Sequence, residues 1–577
     1  MDHQNLKNTA SNAPMLPKES EEKVVILSPV NGGKILIRED TILANLNGCT
    51  GCGRGKFTCG VQNQWSVLCW GRQSDRKYYC LLVLLSTTFV LSLLGTVFFC
   101  FTNTINDAIL SSMVIRNNSM AFSVWRRPNV QPLMKVRLFN YTNWESVRDG
   151  HDKKLRVEEL GPYVYSQQLE RVNIHFEGDR LSYQEKNEFM YQPNKSTGAH
   201  FDQLYVPNLP LLGVVNKAIN MNLNTLGQFS MNSGLNWANH PNAFVKLPVH
   251  RFLWGYDDSI IDIAKTFLRL QGKLNFEKFG LLATKNGTVS ERFTINTGEI
   301  DKDKMNIIEK VDGQDHLPYW GSAECNSIDA SDGSIFPPSM LETKQTLYVL
   351  YPNLCRRLPF VFEKEIKVTD GIVLYRYRLP TNVFDHPNNN SANQCYCEID
   401  SGNCPPQGVI NVTACTMGAP AMVSFPHFAH GDPALLSAVE GLLPQEGLES
   451  YIDIHPTLGI ALQGRSTLQI NMQVKKTQMF TALNFLPEGI ILPIGWVEMV
   501  VEELPESLRS LVYHGTYSTA AVQLGLTVFC VISLIISSIC LFLMLKSRKQ
   551  KPCATLKIPV EKVEKVETGG KVETAQT

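Results

Sequence analysis

Residues 79–101 read YCLLVLLSTTFVLSLLGTVFFCF, an uninterrupted run of 23 residues without a charged side chain. As an α-helix this run would be about 34 Å long, and the hydrocarbon core of a bilayer is about 30 Å thick. A second run, residues 520–545, has 26 residues without a charge, and Gln523 is its most polar member. Buried core helices of this length rarely lack charge throughout, so the runs predict two transmembrane helices rather than two core helices.

Basic residues flank the two runs asymmetrically. The outer flanks are rich in Lys and Arg, whereas Arg116 and Arg509 are the nearest basic residues on the inner flanks. The positive-inside rule therefore predicts that both termini are cytosolic. The first run is too long for the core of a cleaved signal peptide, so we expect an uncleaved signal anchor. The outer basic residues are Arg72, Arg76 and Lys77, then Lys546, Arg548, Lys549 and Lys551.

The spans divide the chain into two tails and one large external region. Residues 1–78 are predicted to be a cytosolic N-terminal tail, residues 102–519 an ectodomain, and residues 546–577 a cytosolic C-terminal tail. The ectodomain is long enough to bury a sizeable core.

Sequons and cysteines agree with an ectodomain outside the cytosol. Six Asn-x-Ser/Thr sequons lie between the spans and none lies in either tail. Six cysteines lie there too, which suits three disulfide bonds in an oxidising compartment. The alternative is a zinc site, but the C-x-C-x6-C-x10-C spacing matches no standard zinc pattern. The sequons are at Asn117, Asn140, Asn194, Asn286, Asn389 and Asn411, and the cysteines are Cys325, Cys355, Cys395, Cys397, Cys404 and Cys415.

The two tails and their borders with the spans contain further cysteines and a repeated charged motif. Cys80 and Cys553 lie at or near the cytosolic face beside basic residues, which makes them candidates for lipidation. Four further cysteines in the N-terminal tail are expected to be reduced or acylated, with a four-cysteine zinc site as the alternative. Lys-Val-Glu occurs three times between Lys562 and Glu573, a pattern typical of a solvated segment. The four tail cysteines are Cys49, Cys52, Cys59 and Cys69.

Composition and motifs argue against several classes of function. Lys plus Arg and Asp plus Glu both number 54, so the net charge is zero, whereas a nucleic-acid binder usually has a basic surface. The H-E-x-x-H, G-x-S-x-G and phosphate-loop signatures are absent. His427 is near Asp432 in the sequence, and we interpret it as a packed histidine rather than half of a catalytic dyad. We therefore expect no enzymatic activity, no metal site, no cofactor and no nucleic-acid partner.

Hydrophobic patterns predict one mixed α/β ectodomain rather than several small domains. The clearest strand is Ser466–Val474, in which Leu468, Ile470, Met472 and Val474 share one face. Helical periodicity occurs over residues 260–270 and 211–229. Further strand signals lie at residues 133–139, 163–166, 172–176, 347–351, 360–368 and 372–379.

The predicted helix over residues 211–229 carries an apolar stripe. Val215, Ile219, Leu223 and Leu226 recur at helical spacing, beside a stripe of asparagines. An uncharged face of this kind suits an apolar ligand, so these four residues are our candidates for ligand binding. The alternative is that they pack against the helix leading into residues 253–258.

Seven motifs occur in one order along the external region. They are GPYVY (161–165), LWGYDD (253–258), LPYW (317–320), CNSIDASDGSIFPP (325–338), GAPAMVSFPHF (418–428), DIHPTLG (453–459) and QINMQV (469–474). Together with the six cysteines and the two spans, they resemble the class B scavenger receptor family, which includes a fatty-acid translocase and a lysosomal integral membrane protein.

The resemblance implies a β-rich, barrel-like ectodomain with an apolar tunnel and a helical apex. It also implies the disulfide pairs Cys325–Cys395, Cys355–Cys415 and Cys397–Cys404. The sequence departs from the family in its long N-terminal tail. It departs again at the apex, where relatives often present lysines but Lys217 is the only formal charge between residues 204 and 245. The lack of positive charge at the apex argues against a role in binding polyanions.

The resemblance implies a receptor that binds and transfers a hydrophobic ligand. The expected partners are fatty acids, sterols, carotenoids or the lipids of lipoprotein-like particles, together with the membrane. One alternative is an adhesion or sorting receptor for a protein ligand. Another is a two-span ion channel, although the spans offer few polar positions for a pore. The sequence leaves open the cell membrane and the endolysosomal membrane, and it leaves open the oligomeric state, a homo-oligomer included.

Overall fold

A computed structural model describes residues 73–239, 242–262, 278–368, 371–397, 404–416, 418–477, 479–502 and 504–549. The four cysteines of the N-terminal tail, Cys553, the Lys-Val-Glu repeats and most of the helix predicted over residues 260–270 lie outside these ranges. Two stretches of the described chain, Asp75–Phe101 and Leu508–Ser547, are helical, long and apolar enough to cross a membrane. The two runs without charge lie within them.

Helices and strands alternate irregularly along the chain. The helices are α1 (Gln73–Phe101), α2 (Thr104–Met113), α3 (Met120–Arg126), α4 (Trp144–Arg148), α5 (Leu209–Asn220), α6 (Thr225–Asn239), α7 (Val249–Trp254), α8 (Pro338–Glu342), α9 (Pro433–Ala438), α10 (Glu506–Tyr513) and α11 (Thr519–Lys549). The strands are β1 (Leu133–Tyr141), β2 (Leu155–Glu177), β3 (Arg180–Tyr191), β4 (Gln203–Pro207), β5 (Phe244–Pro248), β6 (Gly287–Thr288), β7 (Phe293–Asn296), β8 (Ile307–Val311), β9 (Ala330–Ser331), β10 (Leu347–Tyr351), β11 (Arg356–Lys367), β12 (Val373–Arg378), β13 (Val409–Asn411), β14 (Ala421–Ser424), β15 (Val439–Glu440), β16 (Tyr451–Ile454), β17 (Ala461–Gln473) and β18 (Ile491–Val501).

The main sheet closes on itself. In the described chain, twelve strands follow one another in the order β17, β16, β12, β11, β10, β9, β8, β7, β3, β2, β1 and β18, and β18 pairs again with β17. Neighbours in this ring are antiparallel except β9 and β10. Closure leaves no free edge around the ring, which removes the pairing hazard of an open sheet. The mixed α/β, barrel-like fold that we predicted for the region between the spans is therefore confirmed.

Three larger buried clusters stabilise the described part of the chain. The first core is the largest and includes side chains of the main sheet such as Val136, Tyr377 and Trp496. The second core lies around Trp125 and Tyr183, where α3 covers part of β3. The third core joins the ends of β12 and β17 to α10. Burial of apolar surface is the main source of stability in each cluster.

The third core marks the end of the sheet from which the spans depart. Leu508 and Val512 of α10 pack there against Leu374 of β12 and Leu462 of β17. A π-helical turn, His514–Ser518, then leads into α11. The candidate span α11 therefore leaves the sheet from this end.

Helices α5 and α6 lie at the opposite strand ends. Asn140, near the end of β1, accepts a hydrogen bond of 2.8 Å from the backbone of Tyr205 in β4, the strand that leads into α5. The Asn216 side chain of α5 donates a 2.7 Å bond to the carbonyl of Gly418, which precedes β14. These contacts place a helical apex over the strand ends far from α10.

The predicted helix over residues 211–229 is wrong as a single element. It breaks after Asn220, because Asn222 adopts a left-handed conformation with φ of 51°. The amides of Asn222 and Leu223 then donate to the carbonyls of Ile219 and Ala218, which is the Schellman ending of a helix. Asn224 starts α6 by accepting from the amide of Gly227 at 2.9 Å.

A buried histidine near the third core should make the stability of the fold depend on pH. His455 is 2% exposed, and burial lowers its pKa to about 4. In the unfolded chain a histidine has a pKa of about 6.5, so the unfolded state takes up the proton first as the pH falls. The free energy of unfolding should therefore decrease as the pH falls from about 6.5 to about 4, and the loss should reach about 2 kcal/mol at pH 5.

His455→Asn tests this prediction, because an asparagine oxygen can replace the ring nitrogen that accepts from the amide of Leu458 at 3.3 Å. The unfolding midpoint of this variant should change less with pH than that of the wild type. His151→Asn, at an exposed position, should keep the wild-type slope. Equal slopes for all three proteins would show that His455 does not carry the effect.

Candidate functional site

The inside of the closed sheet is identified by a contact between strands that are not neighbours. Tyr351 of β10 and Ser466 of β17 are separated in the ring by β16, β12 and β11, yet their hydroxyl oxygens are 3.5 Å apart. Both side chains must therefore point inward. Residues paired across strands share a face, so Met499, paired with Ser466, and Met134, paired with Met499, also point inward.

The inward face is apolar on successive rows. Val136, Val497 and Leu468 form the row beside Met134, Met499 and Ser466, two residues further along each strand. On the other side of β17, the next inward positions are Ile452, Tyr377 and Phe362.

Several inward side chains are not fully enclosed. Leu468, Val497, Met499, Ile452 and Phe362 are half-buried, although they pack against the first core. A side chain that points into a closed sheet and still keeps accessible surface borders space that protein atoms do not fill. The arrangement therefore offers apolar, partly open space inside the sheet. The tunnel implied by the family resemblance stays a prediction.

The four candidate ligand-binding residues do not form one surface. Val215 is completely buried in the first core, and Ile219 and Leu223 pack partly buried against it. Leu226 belongs to α6 and is 71% exposed. The prediction that these four residues share one helix face is therefore wrong, because the turn after α5 changes the direction of the chain.

An exposed apolar surface does exist at the apex, on and beside α6. Leu226, Phe229 and Met221 are 71%, 56% and 44% exposed. Solvent-exposed apolar residues that lie close together often mark a contact surface. We call Leu226, Phe229 and Met221 the apex patch. Helix α6 contains no charged residue.

The opposite, outward face of the sheet carries a buried polar cluster. His427 is 2% exposed, and its Nε2 lies 2.7 Å from a carboxylate oxygen of Glu159. The indole nitrogen of Trp496 donates to the same carboxylate at 2.9 Å. Burial raises the pKa of Glu159, but the contacts with His427 and Trp496 outweigh it, so the net pKa is lowered.

His427 is a packed histidine, as the sequence indicated, with Glu159 rather than Asp432 as its acidic neighbour. Asp432 instead begins α9, where its side chain accepts from the amide of Ala434 at 2.8 Å. Within the described residues, no group of three or more His, Cys, Asp or Glu side chains is placed to hold a metal ion. The cluster contributes to packing of the segment that covers this face.

The structure joins Cys325 to Cys395, Cys355 to Cys415 and Cys397 to Cys404. These are the pairs that the family resemblance implies. Their Cα–Cα distances of 6.0, 5.8 and 4.9 Å suit a bridge without movement of the backbone.

The six sequons differ in accessibility. Asn117, Asn194, Asn286 and Asn389 are exposed, whereas Asn140 and Asn411 are half-buried on β1 and β13. Glycosylation needs an accessible acceptor side chain, so in the folded structure only the four exposed asparagines are suitable acceptors.

The two spans contact each other through small side chains. The hydroxyls of Ser92 in α1 and Ser533 in α11 are 2.8 Å apart. A Cβ added at Gly95 would lie 2.7 Å from the sulfur of Cys530, so the helices approach closely there. Cys80, a lipidation candidate, is exposed at the start of α1. Its acylation stays a prediction.

The similarity to known proteins extends over the two candidate spans and the region between them. Residues 84–545 match the model of the CD36 family. Lysosome membrane protein 2 of Rattus norvegicus is 31% identical over 419 residues, which are 71% of this chain and 84% of the relative. Scavenger receptor class B member 1 of Bos taurus is 30% identical over 407 residues, which are 68% of this chain and 75% of the relative.

Proposed function

The chain belongs to the CD36 family, and we propose that it is a membrane receptor that binds a hydrophobic ligand inside its closed sheet and transfers it towards the bilayer. The ligand class is fatty acids, sterols, carotenoids or the lipids of lipoprotein particles. The observation that carries the proposal is the half-buried apolar row of Leu468, Val497 and Met499 on the inward face. An apolar molecule would cover this surface and gain about 25 cal/mol for each Å² removed from water.

A bulky side chain inside the sheet should reduce transfer. Leu468→Trp adds volume on the inward face, so it should lower uptake of a fluorescent fatty acid or sterol several-fold while the receptor still reaches the membrane. Val361→Trp is the matched control, because Val361 is 44% exposed on β11 and lies next to inward-facing Phe362. Uptake should be measured per surface-delivered molecule. Equal uptake by the two variants would contradict a path through the sheet.

The second candidate is a receptor for a protein ligand at the helical apex. The apex patch, Leu226, Phe229 and Met221, favours this candidate, because an uncharged exposed surface suits an apolar contact on another macromolecule. The same experiment separates the two candidates. A receptor that acts only through the apex would keep its full activity in Leu468→Trp.

We also propose that both termini are cytosolic and that the ectodomain is outside the cytosol, at the cell membrane or the endolysosomal membrane. N-linked glycans should then be present, and an N-glycosidase should lower the apparent mass. Asn194→Gln, at an exposed sequon, should remove one glycan, whereas Asn140→Gln should leave the mass unchanged. Asn140 already accepts a bond from the Tyr205 amide and lies half-buried in a strand. A protein without any glycan would refute this orientation.

A further inference from the structure

A cavity of about 140 Å³ adjoins the second core, beside β3 and the segment that leads to β7. Four acidic or basic side chains reach it, Glu185, Lys285, Glu291 and Asp332. An engineered cavity of about 150 Å³ admits benzene, so this cavity has room for a group of about six to eight heavy atoms. Asn353, on its wall, is exposed and marks the side that is open to solvent.

Two side chains at this cavity, Glu185 and Lys285, form no salt bridge within the described residues, although each is attracted to opposite charges farther away. In the part of the chain that the structure describes, neither the Glu185 carboxylate nor the Lys285 amine makes a hydrogen bond or approaches an opposite charge within 4.0 Å. Burial raises the pKa of Glu185 and lowers the pKa of Lys285. Both residues are half-buried, and holding an ionised group partly away from water without a salt bridge is unfavourable, so both groups gain from a molecule that brings an opposite charge close.

The charges around the cavity define which molecule fits. Asp332 is already paired with Arg171 at 2.6 Å, and both side chains are buried. Glu185, Glu291 and Lys285 remain, two acids and one amine. An ammonium is attracted to the acids, and an anionic oxygen is attracted to the amine.

Aromatic rings border the same space. Tyr183 and Phe293 both lie on the cavity wall, with ring centroids 5.7 Å apart. A cation over such a ring gains further electrostatic attraction, and the gain is largest for a weakly hydrated ammonium. The acids and rings together suit a cation, and Lys285 suits an anion.

We propose that this cavity binds a small zwitterionic group, an ammonium joined by a short chain to a phosphate or carboxylate. Such a group occurs free in solution and as the head group of a phospholipid. The proposal does not depend on a lipid path through the closed sheet, because it concerns a different surface and different residues.

Calorimetric titration of the full chain in detergent with ethanolamine phosphate tests the proposal. We expect saturable binding that Glu185→Gln and Lys285→Met each weaken at least tenfold. Lys186→Met is the control, since the Lys186 side chain is 42% exposed and is paired with Glu188 at 2.7 Å. Inorganic phosphate alone and ethanolamine alone should each bind at least tenfold more weakly. Lysophosphatidylethanolamine, used below its micelle concentration, identifies a lipid head group as the source if it binds more tightly than the free zwitterion.

Two outcomes would overturn the proposal. One is the absence of saturable binding, or binding that neither Glu185→Gln nor Lys285→Met changes. The other comes from the melting temperature without ligand, which should be unchanged or higher in both variants, because each removes a half-buried charge that forms no salt bridge among the described residues. A clear decrease in both would mean that the fold already satisfies these charges.

Discussion

Asp332→Ala is expected to destabilise the ectodomain by about 3–5 kcal/mol, because it leaves a buried guanidinium without its partner. The Nη2 atom of Arg171 lies 2.6 Å from a carboxylate oxygen of Asp332, and their side chains are 3% and 8% exposed. The Arg171 guanidinium also lies 4.6 Å from the centre of the Trp125 ring. Removing the carboxylate would therefore break the second core where α3 meets the sheet.

The same ion pair should resist mild acid. Burial alone would raise the pKa of Asp332, but the charge of Arg171 and hydrogen bonds from Ser334 and Asn306 lower it overall. A carboxyl whose folded pKa is depressed stabilises the fold above its unfolded value of about 3.9. Its contribution is present at pH 5 and is lost as the pH falls through the lowered folded pKa.

Denaturation of the purified full chain, with surface delivery in cells, measures the effect of Asp332→Ala. Glu440→Ala is the control, because the Arg156–Glu440 pair is exposed and should contribute less than about 1 kcal/mol. Arg171→Met combined with Asp332→Ala should recover part of the loss, since no charge is then left unpaired. An Asp332→Ala protein that unfolds at the wild-type midpoint would contradict the buried ion pair.

Cys355→Ser should cost about 4 kcal/mol, because it opens a loop between residues that are 60 positions apart. Cys355 is fully buried and directly precedes β11, so the bridge to Cys415 also holds a strand of the ring near β13. We expect retention in the endoplasmic reticulum. Cys397→Ser opens a bridge between residues only 7 apart, and by the same estimate costs about 2 kcal/mol.

Surface delivery and the unfolding midpoint should therefore rank wild type above Cys397→Ser, and Cys397→Ser above Cys355→Ser. Cys355→Ser combined with Cys415→Ser separates the lost bridge from the effect of a lone thiol, and it should stay close to the single variant. Peptide mapping of the wild type should recover the three observed pairs. The reverse ranking of the two single variants would contradict a role for the long loop.

Strand positions were predictable from sequence, because alternation is a local property. The strand predicted over Ser466–Val474 is β17, Ala461–Gln473. The alternation of Leu468 and Ile470 in the sequence already indicated the inward face of β17. The alternation around Glu498 could have identified Val497 and Met499 as inward-facing in the same way. The burial of the other face was not predictable. Gln469 is fully buried there because it accepts from the backbone of His427, 42 residues away in the chain.

The apex and the charged cavity show two different limits of prediction from sequence. The break after Asn220 has a local signal, since asparagine is favoured both at the left-handed end of one helix and at the start of the next. The periodicity of Val215, Ile219 and Leu223 outweighed that signal in our prediction. Glu185 and Lys285 gave no signal, because only the folded chain brings residues 100 positions apart to one cavity.

The central claim is that a hydrophobic ligand occupies the inside of the closed sheet. Its most direct test is photo-crosslinking of the full chain in cell membranes with a fatty acid or sterol that carries a diazirine, followed by peptide mapping. The structure predicts labelling of the inward residues Leu468, Val497, Met499 and Phe362, which an unlabelled ligand should compete away. Labelling confined to the spans α1 and α11 and to the apex patch would contradict the claim.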